Sequence, residues 1–97
     1  MMYLCVMYDI SSRRRLQKIA RLCTQRGLSR IQKSVFLGKL DTEELVGFRD
    51  AALRILVLKE DRLLMLPLDR ACLKRSVDLG RSSGIREMLE ERPLLFV

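Results

Sequence analysis

The chain has 97 residues, 48% of them hydrophobic, with 19 Lys and Arg against 12 Asp and Glu for a formal charge of +7. That length gives one domain with a core that needs no staple, and the hydrophobic content excludes a disordered basic tail. There is no histidine, and Cys5, Cys23 and Cys72 are scattered, which excludes a zinc site and imidazole catalysis. The three thiols are expected to be small buried apolar groups in a reducing cytoplasm.

The charge is unevenly placed. Residues 1 to 40 carry nine Lys and Arg and a single acid, Asp9; residues 41 to 97 carry ten basic and eleven acidic groups. A basic domain meets polyanions. No apolar run approaches the ~20 residues that cross a bilayer, and no segment joins aromatic anchors to a lysine-rich back, so nucleic acid is expected and a membrane is not.

Residues 2 to 8 are apolar at every position, as in a central strand covered on both faces. The run lacks a preceding basic region and a small-residue cleavage site, so it reads as a strand and not as a signal peptide. It ends at Asp9-Ile10. Ser11 or Ser12 caps a helix in which Leu16, Ile19, Ala20 and Cys23 form the apolar stripe. Arg14, Lys18 and Arg21 share another face, and Gly27 ends the helix in the left-handed conformation. No acid occurs from residue 12 to 26. A solvated helix face alternates sign, so this one reads as a phosphate-contacting face that also takes in Arg15.

Residues 29 to 40 have strand character, with Ile31, Val35 and Leu37 on one face and Arg30, Gln32, Ser34 and Phe36 on the other. Twelve residues are long for one strand, which places a kink or break near Lys33-Ser34. Asp41 and Glu44 form a capping box for a second helix, whose buried stripe is Leu45, Phe48, Ala52, Ile55 and Leu56 and which Lys59-Glu60-Asp61 closes. Arg62 to Leu66 form a strand with Pro67 at an edge or turn. A helical turn follows over 69–75, then a short strand over Val77–Gly80. Ser82-Ser83-Gly84 is a flexible spacer before a helical turn from Ile85 to Arg92. Leu94 to Val97 form a terminal apolar strand, expected to pair across a dimer. The expected domain is residues 1–80, with 81–97 as a tail. This order predicts an α+β, ferredoxin-like βαββαβ sandwich, two helices on one face of an antiparallel sheet, with an extra C-terminal strand.

Three stretches in order carry a family resemblance: the strand ending in Tyr8-Asp9-Ile10, the segment Arg30 to Phe36 with Gly38 after it, and Val77-Asp78-Leu79-Gly80. With the arginine-rich helix between the first two, the chain resembles the small CRISPR-associated adaptation protein, the second of the two core spacer-acquisition proteins. The resemblance covers residues 1 to about 80. It implies a homodimer that works beside the larger CRISPR integrase, on DNA or single-stranded RNA, with metal-dependent phosphodiesterase activity in some members. It implies Asp9 as the metal-binding and catalytic aspartate, Arg30 as a catalytic or nucleic-acid-binding residue, and Phe36 as a nucleic-acid-binding one. Ser11-Ser12 stand where the family often has a further acid, and Leu16 where an arginine is frequent.

One carboxylate is a poor site for Mg²⁺ or Mn²⁺, since magnesium takes about six oxygens from one or two carboxylates, water and phosphate. A two-fold dimer would supply Asp9 twice, with the metal at or near the axis. Arg30 would steady charge on the phosphate, and Phe36 would stack on a base or pack an interface. The leading expectation is therefore a dimeric nucleic-acid-binding component of the spacer-integration complex with metal-dependent endonuclease activity. The alternative is a stand-alone, toxin-like, metal-dependent ribonuclease. A ligand-binding regulatory module fits the charge asymmetry poorly. An RNA-recognition motif needs exposed aromatics on its central strands, and only Tyr3, Tyr8 and Phe36 are on offer.

Overall fold

The computed structural model describes residues 2–89. Chain order is β1 (Met2–Asp9), α1 (Arg13–Gln25), β2 (Ser29–Gln32), β3 (Val35–Leu40), α2 (Thr42–Ile55), β4 (Arg62–Leu68), α3 (Arg70–Lys74) and α4 (Ile85–Leu89). The strands form one antiparallel sheet in the order β2-β3-β1-β4. This is the expected ferredoxin-like sandwich, and β1, apolar from Met2 to Tyr8, is one of its two central strands.

Side-chain alternation along β1 divides the core into two layers. Leu4, Val6 and Tyr8 turn toward α1 and α2, where they pack with Ile19, Leu22, Cys23, Phe36, Leu40, Phe48 and Ala52. Tyr3 and Cys5 turn to the opposite face, where Leu37, Leu73 of α3 and Leu89 of α4 meet them. Two helices therefore cover one face as expected, and two short ones cover part of the other. Because Leu89 packs in this second layer, α4 contributes to the same core as the sheet.

The helix ends follow from local chemistry. The Ser12 hydroxyl accepts from the Arg15 backbone N–H, and α2 starts in the expected Asp41/Glu44 box, satisfying donors that the helix itself leaves open. Gly27 has a φ of +82°, as its left-handed role requires. The long strand does break at Lys33-Ser34: Gln32 pairs with Val35 across a two-residue turn, with a register shift between Arg30 and Gln32. Gly38 answers a different demand. A Cβ there would lie 2.6 Å from Leu28 Cδ2 and 3.0 Å from the Gly27 carbonyl oxygen, so the α1–β2 turn packs directly on β3 only because position 38 is bare.

Some expectations differ from the structure. Val77–Gly80 is not a strand; Val77 and Leu79 are exposed, and Asp78 instead accepts from the Ser83 backbone N–H and hydroxyl, closing a loop. Polar closure of that loop is local, so it needs no sheet partner. The segment Ser82-Ser83-Gly84 is correspondingly tied down at Ser83. Helix α2 ends at Ile55, before Lys59-Glu60-Asp61, which lie in and just after a turn. Cys72 is exposed, unlike Cys5 and Cys23. The helical turn over 69–75 is present as α3, and the one begun at Ile85 is present as α4 up to Leu89; its last residues, 90–92, and the strand at 94–97 lie outside the described residues.

Candidate nucleic-acid interface

Asp9 is the last residue of β1 and is exposed. It follows Tyr3, Cys5 and Met7 on the face away from α1 and α2. Directly across from it on β4 is Arg62, and Met7 faces Leu64 in the same register. Alternation along β4 sends Leu63 and Met65 into the helix-side core and leaves Leu64 and Leu66 on the Asp9 face, 50% and 39% exposed. The carboxylate therefore stands at the end of a central strand, beside an exposed apolar strip on β4, which among the described residues forms one edge of the sheet.

The expected cations fall into separate groups. Arg14, Lys18 and Arg21 are all exposed along α1, whose opposite side buries Ile19, Leu22 and Cys23. Arg30 lies on β2 opposite Phe36, with its guanidinium 5.0 Å from the Phe36 ring centre. Phe36 is buried and stacks at 6.3 Å on Tyr8. Phe36 and Tyr8 belong to the helix-side core. Arg30 thus sits over the helix-side layer, whereas Asp9 looks out from the other face. A single chain does not bring Arg30 and Asp9 together. Burial pushes the Tyr8 phenol up and Arg30 partly offsets this. Burial also raises the Cys5 thiol and holds Cys23 at about 12, which keeps both in the unreactive thiol form.

Arg15 has a different place from its neighbours. Its Nε donates to Asp61 Oδ2 at 2.6 Å, and its Nη2 donates to Asp61 Oδ1 and Glu60 Oε2, both at 3.0 Å. The Asp61 side chain is fully enclosed and also accepts from the Val57 backbone N–H at 2.9 Å. Fork geometry and burial make this a strong pairing, so Arg15 clamps α1 to the start of β4, and its guanidinium is already engaged within the fold. Its guanidinium holds the Asp61 carboxyl below the ordinary carboxylate range. Sequence reading missed this because the absence of acids was judged within α1, while the acids that answer Arg15 lie some 45 positions away.

Among the described residues no three acidic, Cys or His side chains gather in a way that would hold a metal ion. Asp9 offers one carboxylate, and magnesium needs further oxygens, so one chain alone does not fit the ion.

The antiparallel β2-β3-β1-β4 sheet under two helices, with an aspartate ending β1, defines a ferredoxin-like α+β protein. The family model for CRISPR associated protein Cas2 matches residues 1–76, and the chain belongs to that family. It is 32% identical over 76 residues to the CRISPR-associated endoribonuclease Cas2 of Korarchaeum cryptofilum, an alignment spanning 78% of this chain and 82% of the relative. Among solved structures it resembles a hypothetical protein from Thermus thermophilus (33% identity, TM-score 0.74, covering 84% of this chain and 93% of that one). It also resembles Streptococcus pyogenes Cas2 (30% identity, TM-score 0.73, covering 81% and 100%). Among the described residues no helix is long and apolar enough to cross a membrane.

Proposed function

We propose that this protein acts as a two-fold dimer that holds nucleic acid in the complex inserting new spacers into a CRISPR array, beside the larger integrase and in the cytoplasm. The observation that carries the reading is Asp9 at the rim of an exposed apolar strip made by Leu64 and Leu66. Burying that strip against its own copy is favourable at about 25 cal/mol per Å² of apolar surface. A two-fold contact repeats every residue, so it supplies a second Asp9 and doubles the cationic stripe of Arg14, Lys18 and Arg21. The stripe suits a phosphate backbone, because its cations are exposed and their helix carries no acid.

Two carboxylates with water and phosphate would meet the ligand demand of Mg²⁺ or Mn²⁺ near the axis. Bound there, the ion would supply Lewis-acid polarisation of the phosphodiester and a more acidic water. The protein's own part is to present Asp9 on a fixed strand and to gather the backbone with exposed cations. Phe36 is buried, so its role in this reading is to support Arg30 from beneath. A second reading is stand-alone ribonuclease action, favoured by the endoribonuclease name of the Korarchaeum relative.

Asp9→Asn separates the two when cleavage of RNA and DNA is measured alongside spacer acquisition. Loss of cleavage with acquisition intact supports the scaffold as the main role. Loss of both makes the carboxylate central to integration. A cleaving protein with no effect on acquisition favours the ribonuclease reading. Unchanged cleavage and acquisition would leave Asp9 with a structural role alone.

A further inference from the structure

We infer that Arg62 is a phosphate-contacting residue of the Asp9 site. This deepens the nucleic-acid reading above and rests on it. Arg62 is the direct cross-strand neighbour of Asp9. Opposed residues on one face of an antiparallel pair lie about 4.5–5.5 Å apart at Cβ, so a phosphate that reaches this end of β1 falls within reach of the guanidinium.

The orientation of Arg62 follows from its neighbours. Asp61 points to the helix side, where Arg15 and the Val57 N–H fix it. Leu63 also points to the helix side and packs in that core. With the residues on both sides held there, alternation turns Arg62 to the opposite face, the one that carries Asp9. The clamp between α1 and β4 is therefore a positioning device for Arg62. Arg62 is exposed. The ion pairs seen among the described residues join Arg15 to Glu60 and Asp61 and Arg49 to Asp50, and none joins Arg62 to Asp9. Its planar fork matches two phosphate oxygens at once. Asp9 alone would repel a phosphodiester; an arginine at its side lets one site hold both a cation and the phosphate.

The test titrates labelled duplex DNA and, separately, labelled single-stranded RNA into the full chain by fluorescence anisotropy. It uses magnesium-free buffer over a series of salt concentrations. Arg62→Ala should weaken binding on the order of tenfold at low salt and make the log-log salt slope shallower by roughly one. Arg62→Lys should keep the slope and recover part of the affinity, since a point charge replaces the fork. The arm that responds tells whether duplex or single strand occupies the site. A Lys18→Ala/Arg21→Ala variant reports on the α1 stripe independently. If wild type binds, the α1 variant weakens, and Arg62→Ala matches wild type in affinity and slope, the Arg62 inference is overturned while the broader reading stands. A lower melting temperature with unchanged binding also overturns it, by making Arg62 a structural counter-ion of Asp9. If wild type binds neither probe in dilute buffer, the broader reading fails and takes this one with it.

Discussion

Asp61 and Arg15 show how one residue's environment decides its role. Arg15 belongs to the run Arg13-Arg14-Arg15, and by charge alone it is indistinguishable from Arg14. Its side chain lies where α1 crosses the start of β4, and the enclosed Asp61 carboxylate claims it. The Asp61 carboxyl is depressed in the folded state, chiefly by the hydrogen bond from Arg15. Its stabilising effect is therefore present above the ordinary aspartate range and is lost as pH falls through the lowered folded value. Asp61→Asn should lower the melting temperature at neutral pH and flatten the acid limb of stability against pH. Thermal melts from neutral to strongly acidic buffer check this. Curves that stay parallel down the acid limb would remove Asp61 from the account. The spacing of Arg14, Lys18 and Arg21 was readable from local sequence because helix periodicity is local. The partners of Arg15 were not, because they depend on which elements touch.

At the level of elements, the capping residues, the buried stripe of α2 and the break at Lys33-Ser34 were all legible, since each follows from chemistry within a few residues. Val77–Gly80 was misread for the same reason in reverse: its alternating apolar residues look like a strand, but Ser83 binds Asp78 and closes a loop before any sheet edge is reached. Gly38 illustrates an element contact with a sequence trace but no sequence explanation. It belongs to the segment that carries the family resemblance, and the structure supplies the reason, which is the α1–β2 turn lying against the bare Cα. Gly38→Ala should force that turn off β3 and destabilise the fold by about 1–3 kcal/mol, the usual range for overpacking. Denaturant melts measure the loss, and an unchanged midpoint would show that the turn yields freely. Because Arg30 follows that turn on β2, the same variant should also disturb its stacking on Phe36.

At the scale of the whole molecule, the proposed dimer rests on the exposed apolar strip of β4. The helix-side layer is closed by α1 and α2. Among the described residues, α3 and α4 cover the opposite layer only in part, and Leu64 and Leu66 are exposed on the Asp9 face. The ferredoxin-like order was legible because the alternation of strand and helix patterns leaves few topologies. The open strip was not, since Leu63 to Leu66 are all apolar and only the register assigns them to faces. Light scattering coupled to size-exclusion chromatography tests the dimer directly. The account predicts a mass twice the 11.3 kDa of one chain, persisting at low micromolar concentration. A single-chain mass at every concentration would contradict it, because Asp9 would then have no second copy to share a cation with.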